Sequence, residues 1–345
     1  MKRLMLGASL GALLVAGIAG AAYSADYTPV TDARLANPEP ENWLMTRGGY
    51  KGWSYSPLNQ INTGNVKNLV PVWSVSTGVD SGHEAPPIVN NGVMFVATPY
   101  SQVMALDASS GDLLWRYKRK LPPGFSALHN TSRGVALYGD KVYLPALDAT
   151  LVALDAKTGK VAWEAKVEDW KTGYYMTMAP LVVKGKVLVG VSGGEFGVRG
   201  YLTAYDINTG KRVWRAYSMG PDSDILIGSS FHGPRNAGTS TWRGEDWKLG
   251  GGTTWGWYSY DPNLNLLYYG TGNPGTWNPS QRPGDNKWSM TIFARNPDTG
   301  QAVWGYQMTP HDAWDYDGVN EMILASLDMT ATDRDAAIQI IPPAP

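Results

Sequence analysis

One eleven-residue pattern, Ala-x-Asp-x-x-Ser/Thr-Gly-x-x-x-Trp, recurs along the chain and constrains its fold more than any other feature. Ala105 to Trp115 reads ALDASSGDLLW, Ala153 to Trp163 reads ALDAKTGKVAW, and Ala204 to Trp214 reads AYDINTGKRVW. A fourth copy, Ala294 to Trp304, reads ARNPDTGQAVW, with Asn296 where the others have aspartate. In each copy an apolar strand runs into an Asp/Gly turn and a second strand leaves toward the tryptophan, so each predicts a hairpin. Further strand-like runs, such as 92–97, 141–145 and 186–190, lie between the copies. The tryptophans are spaced by 48, 51 and 90 residues, and Trp73 lies 42 residues before Trp115. A degenerate copy, Ser259-Tyr260-Asp261-Pro262-Asn263, divides the long interval. Roughly four strands per 42 to 51 residues is the length of one propeller blade. Four copies of one pattern argue against a row of unrelated hairpins, and about six units are expected between Trp73 and Trp304. The tryptophan is then first a packing residue between blades.

Composition agrees with an all-β reading. The 345 residues hold 40 Gly, 23 Pro, 15 Trp and 19 Tyr but only 5 Phe, which suits many short strands joined by tight turns. A formal net charge of -1, with no block of like charge, gives no footprint for nucleic acid and leaves small neutral partners open.

The first 24 residues predict the compartment. Lys2 and Arg3 form a positive start, Leu4 to Ala22 is an uncharged apolar run, and Ala22-Tyr23-Ser24 offers small residues for cleavage before Ala25. A retained membrane anchor is the alternative, because the run is nearly long enough to span. Cysteine is absent, which excludes disulfides, thiolate metal sites and an N-terminal lipidated cysteine. Export to a bacterial periplasm as a signal-peptide-bearing protein, with no stable membrane span after cleavage, is the expectation. The organisation expected is a signal peptide over 1–24, a propeller domain over 25–327 and an atypical tail over 328–345, where the blade pattern is lost and no closing strand follows.

Several segments are more specific than turns need to be. Ser192-Gly193-Gly194-Glu195-Phe196-Gly197-Val198-Arg199-Gly200 lets a flat ligand approach the backbone, and Glu195 offers oxygens to a hard cation. Gly250 to Trp257 places Trp255 and Trp257 behind a glycine run, where an indole can lie against an aromatic ring system. Core packing still claims Trp257. Tyr269 to Gly275 presents Asn273 from a rigid turn, and His311 to Gly318 sets Asp315 and Asp317 one residue apart between aromatics. Taken singly, each is also compatible with an ordinary surface turn.

Together these residues resemble the pyrroloquinoline quinone (PQQ) dependent alcohol dehydrogenases of the methanol/ethanol dehydrogenase family. The resemblance runs from about Tyr27 to Leu327 and rests on GHEAPP, SGGEFGVRG, GGGTTWGWYSYDP, GTGNPGTWN, RPGDNKW and PHDAWDYDGVN. It implies an eight-bladed quinoprotein β-propeller with tryptophan docking motifs, here incomplete, so that about two further blades are expected in the family. It implies that Glu84, Arg133, Thr177, Ser192, Gly193 and Gly194 hold the quinone's carboxylates and carbonyls, and that Trp255 stacks on one of its faces. It places Glu195, Asn273, Asp315 and Asp317 around one metal ion, with Asp315 also the catalytic base. Members with calcium usually carry a small neutral residue where this chain has Asp317, whereas lanthanide-type methanol dehydrogenases carry Asp. A trivalent cation favours the extra anionic oxygen, so a lanthanide is favoured and calcium is the alternative. One departure concerns a pair of adjacent cysteines that many members set against the quinone's other face. Here the corresponding region reads Leu128-His129-Asn130-Thr131, so that wall is expected to be built differently.

The activity implied is oxidation of a primary alcohol, methanol or ethanol in class, to an aldehyde, with electrons passing to a periplasmic cytochrome c. A homodimer is compatible with the resemblance. Two other readings stay open at this point: an inactive fragment of such an enzyme, and a non-catalytic propeller scaffold of the outer-membrane assembly type. The absent lipobox cysteine and the presence of Glu195, Trp255, Asn273 and Asp315 argue against the scaffold.

Overall fold

The structure is a computed structural model that describes residues 27–326. The expected signal peptide and tail lie outside the described residues. Among these residues seventeen strands form four sheets. The first contains β1 to β4, at Ile88–Asn90, Val93–Thr98, Gln102–Asp107 and Leu113–Lys118. The second contains β5 to β8, at Ala136–Tyr138, Lys141–Ala146, Thr150–Asp155 and Val161–Lys166. The third contains β9 to β12, at Leu181–Val183, Lys186–Val189, Tyr201–Asp206 and Arg212–Tyr217. In the fourth, β14 to β17 at Ser259–Asp261, Leu266–Gly270, Thr291–Arg295 and Ala302–Gln307 form the same meander, and β13 (Ile227–His232) adds parallel to β17. Each meander is antiparallel with neighbours in chain order, which is the topology of a propeller blade.

The repeat now has a residue-by-residue cause. Its aspartate closes the turn: the side chains of Asp107, Asp155 and Asp206 each accept two backbone N–H groups two and three residues on, and Asn296 does the same work in the fourth copy. Its glycine has a positive φ, 79° at Gly111, 68° at Gly159, 66° at Gly210 and 75° at Gly300. Its alanine is fully buried and sits opposite the tryptophan across the ladder, as in Ala105 with Trp115 and Ala153 with Trp163. Its tryptophan reaches into the next blade. Trp73, Trp115, Trp163 and Trp214 press on Gly111, Gly159, Gly210 and Gly300, and their indole N–H groups donate to Ala108, Ala156, Ile207 and Pro297 carbonyls at 3.1, 2.9, 3.2 and 3.0 Å. Burying one such indole stabilises the joint by roughly 5 kcal/mol at most, so a few joints outweigh any surface ion pair.

The unit count is lower than the tryptophan spacing suggests: four sheets among the described residues rather than about six. Trp73 docks on the first sheet from a stretch that forms no paired strands. The 90-residue interval is one blade with an insert, because the degenerate copy at 259–263 is the turn between β14 and β15. The insert carries two one-turn helices, α1 (Asp222–Ile225) and α2 (Ala237–Ser240), and places Arg199 between the rings of Tyr217 and Trp247 at 3.9 and 4.6 Å.

Candidate active site

The candidate residues come from equivalent places in the four blades. Glu84, Thr177 and Trp255 each stand four residues before the first strand of their meander, and Arg133 stands three before β5. Ser192 and Asn273 each stand three residues past the end of a second strand, β10 and β15. The start of a first strand and the end of an antiparallel second strand lie at the same edge of a sheet. Residues far apart in sequence therefore converge at one end of the propeller.

There they line a cleft of about 250 Å³, open to solvent. Glu84, Arg133, Thr177, Ser192, Gly193 and Trp255 form one part of its wall, and Glu195, Asp315 and Asp317 another. Gly194 is buried behind the wall, against Thr253 and Gly251. Arg133 is the best-connected of them: it pairs with Glu84 at 2.8 Å, donates to Thr177 Oγ1 at 2.9 Å, and lies over the Trp255 ring at 4.4 Å. Thr177 in turn bonds Ser192 at 2.9 Å. Burial pushes the Arg133 guanidinium down from its ordinary value, and Glu84 opposes that shift. Trp257 lines no part of the cleft and packs beneath Arg47 at 4.7 Å.

The acidic corner is built from two loops. Asp317 Oδ1 accepts the Asn273 backbone N–H at 3.4 Å, and Asn273 and Asp315 share the wall of an adjoining cavity. Burial pushes the Asp317 carboxyl up to about 7, and Asp315 and Glu195 add to the shift while the Asn273 N–H opposes it. Asp315 is also raised, by burial and then by Asp312. Among the described residues no three His, Cys, Asp or Glu side chains already form a metal-holding group. The donors nonetheless suit a hard cation: three carboxylates face one space, and the buried Asn273 side chain, whose amide oxygen could join them, stands on the loop bonded to Asp317. Gly193, the indole of Trp255 and the guanidinium of Arg133 suit a flat, anionic, aromatic ligand beside it.

Three loops are laced together at this corner. Gly251 donates to Val198 O at 3.0 Å, Gly200 to Gly251 O at 2.7 Å, Gly252 to Asn273 O at 2.9 Å and Gly275 to Gly250 O at 2.9 Å. The segments carrying Glu195, Trp255 and Asn273 thus share one backbone ladder. Gly251 has φ +68°, and a Cβ there would stand 2.6 Å from Asn273 O, so only glycine fits.

Sequence reasoning had not singled out Tyr175 and Trp277, which complete the cleft. Trp277 sits inside GTGNPGTWN, where an aromatic after two turn glycines was the available signal. Leu128 and His129 line the cleft, so this part of its wall is made of an aliphatic side chain and an imidazole.

The profile of the PQQ glucose/ethanol/alcohol dehydrogenase β-propeller domain matches residues 43–341. A lanthanide-dependent methanol dehydrogenase of Methylacidiphilum fumariolicum is 55% identical over 302 residues, covering 84% of this chain and 49% of the relative. Methanol dehydrogenase [cytochrome c] subunit 1 of Methylorubrum extorquens is 46% identical over 335 residues, 92% of this chain and 53% of the relative. The solved structure of a europium-containing methanol dehydrogenase superposes with a TM-score of 0.82 at 54% identity, covering 86% of this chain and 53% of that one. The chain therefore spans about half the length of the relatives it matches. With the profile match extending over most of its residues, the chain belongs to the PQQ-dependent glucose/ethanol/alcohol dehydrogenase β-propeller family.

Proposed function

We propose that this chain provides the PQQ and cation site of a quinoprotein that oxidises small primary alcohols to aldehydes. The observation that carries the reading is the convergence of Glu84, Arg133, Thr177, Ser192 and Trp255 on the same cleft as Glu195, Asp315 and Asp317, from segments that four separate blades position. When bound, the quinone supplies a two-electron acceptor and the cation a Lewis acid. Arg133, with its planar fork, holds a carboxylate, Thr177 and Ser192 offer hydroxyls to further oxygens, and Trp255 gives a flat face. Asp315 accepts the proton of the alcohol hydroxyl, and its burial-raised proton affinity suits that task. Asn273 orients Asp317 through its backbone N–H.

Glu195, Asp315 and Asp317 together supply three negative charges, which favours a trivalent lanthanide over calcium. The names of the lanthanide-dependent and europium-containing relatives support the same choice. Action in the periplasm, transfer of electrons to a cytochrome c, and association as a homodimer belong to this reading; the apolar N-terminal run and the cytochrome c in a relative's name support the first two. Among the described residues no helix is long and apolar enough to cross a membrane.

The experiment is to mix the purified chain with PQQ and lanthanum or calcium, record the absorption of bound quinone, and follow reduction of an artificial dye with methanol or ethanol. Quinone binding that strengthens with lanthanum is expected. No binding of PQQ with either ion, in a folded chain, would sink the reading. Full turnover with calcium and none gained with lanthanum would reject the lanthanide assignment alone.

A further inference from the structure

The loop that carries the two candidate carboxylates is strained and held from outside. His311, Asp315 and Asp317 have φ values of +50°, +60° and +52°, three non-glycine residues in the left-handed region within seven positions. Such backbone persists only where neighbouring structure fixes it. The fixing comes from the segment Arg282 to Trp288. His311 N donates to Asp285 O at 3.0 Å, and its Nδ1 lies 2.8 Å from Gly284 O.

Arg282 does more. Its residue is 2% exposed, and the Asp312 carboxylate acts on its guanidinium from a distance, opposing the downward shift that burial causes. Instead Nε donates to Thr276 O at 2.5 Å, Nη1 to Asn286 Oδ1 at 2.9 Å, and Nη2 to Asp312 O and, at 3.5 Å, to Trp277 O. Thr276 and Trp277 follow Asn273 on one loop, and Asp312 opens the turn that holds Asp315 on the other. The Asp312 carboxylate, itself buried, accepts the N–H groups of Trp314 and Tyr316 at 3.1 and 3.3 Å, so the turn on either side of Asp315 is bonded to it. A buried cation aimed at main-chain carbonyls of two loops is a costly arrangement unless it sets their separation.

We propose that Arg282 is a positioning residue for the cation corner: its guanidinium fixes the backbone bearing Asp315 and Asp317 against the loop bearing Asn273, and Asp312 transmits that constraint to the turn. The inference rests on the reading of this corner as a cation site. Arg282 touches the cleft lining only through the Trp277 carbonyl, while Arg133, Thr177 and Ser192 stand on other blades.

The test uses terbium(III) as probe, read by luminescence sensitised by the protein's tryptophans, beside PQQ binding read by absorption, on the whole chain and on Arg282→Met, Arg282→Lys and Asp312→Asn. Arg282→Met is expected to bind terbium roughly tenfold to a hundredfold more weakly while PQQ affinity stays within about twofold, the range for removing a group that orients ligands. Arg282→Lys keeps the charge but not the fork and is expected to recover only part of the loss. Terbium affinity unchanged within about twofold in a folded Arg282→Met chain, or an equal loss for terbium and PQQ, overturns the proposal. Should Arg282→Met fail to fold by circular dichroism, Asp312→Asn decides by the same ratio. A parent chain that binds no terbium overturns the cation-site reading itself, and this inference with it.

Discussion

Trp115 and Gly159 meet so closely across the joint between the first two blades that a Cβ on the glycine would stand 2.5 Å from Trp115 Cε3. Gly159 also has φ +68°. Gly159→Ala therefore combines left-handed strain with overpacking against a rigid indole, and is expected to destabilise the chain by about 2–4 kcal/mol. Gly185, at φ +70° with nothing within 4 Å of the place a Cβ would take, isolates the first cause. Gly185→Ala is expected to cost only about 1 kcal/mol. Equal denaturation midpoints for the two variants would show that the indole contact carries no energy.

That joint was legible because each of its halves belongs to a local pattern that repeats from blade to blade. Asp, Gly and Trp of one repeat lie within eleven residues, and each has a fixed task in turn, approach and docking. The blade count was less legible, since an insert of 218–258 adds nearly a blade's length without a blade's strands, and the turn at Asp261 resembles a repeat. In the site, Glu195, Trp255, Asp315 and Asp317 stood out in glycine-rich and acidic runs, whereas Glu84, Arg133 and Thr177 were implied only by the family resemblance. Arg282 and Gly251 could not be picked out, because both act through main-chain atoms of distant loops, Arg282 on Thr276 and Asp312 and Gly251 on Val198 and Asn273. Neither belongs to a repeated pattern, so nothing in the sequence marks the carbonyls they meet.

Arg133 joins Glu84, Thr177 and the Trp255 face in one contact set. A lysine keeps the charge but loses the fork and the flat surface, so Arg133→Lys is not conservative here. PQQ affinity, followed by quenching of tryptophan fluorescence, is expected to fall roughly tenfold to a hundredfold, the value of one or two hydrogen bonds to a charged group. Affinity equal to the parent's would remove Arg133 from the quinone wall.

Asp298 ties the third and fourth blades on the side of the Trp214 joint. Burial alone would raise its carboxyl, but donation from Lys184, Asn265 and Lys186 at 2.5, 3.0 and 3.2 Å holds it down to about 2. A carboxyl depressed on folding contributes stability above its ordinary value near 3.8, and that contribution is lost as pH falls toward 2. With the side chain 36% exposed, solvent screening limits the effect to about 1 kcal/mol. Asp298→Asn is expected to lower stability by that amount at pH 7 and to flatten the acid limb between pH 4 and 2, measured by urea midpoints across the range. A limb as steep as the parent's would place the acid sensitivity elsewhere.

Asp317 is where the choice of ion can be tested on the chain itself. Its carboxylate is half-buried beside Asp315 and Glu195, and each of those neighbours raises its proton affinity, so the three acids concentrate negative charge that a bound cation would offset. A trivalent ion gains more from the third carboxylate than a divalent one, because attraction scales with the product of the charges. Removing that carboxylate should therefore compress the difference between ions rather than weaken both alike. Asp317→Ala is expected to bind terbium(III) roughly tenfold to a hundredfold more weakly, with a smaller loss for calcium, in competition titrations at one pH. The Asn273 N–H, which Asp317 accepts, would then be free to donate elsewhere, and Asp317→Asn retains an acceptor for it while removing the charge. If Asp317→Asn keeps the parent's preference for terbium over calcium, charge at this position does not select the ion, and the selectivity must come from the spacing of Glu195, Asn273 and Asp315.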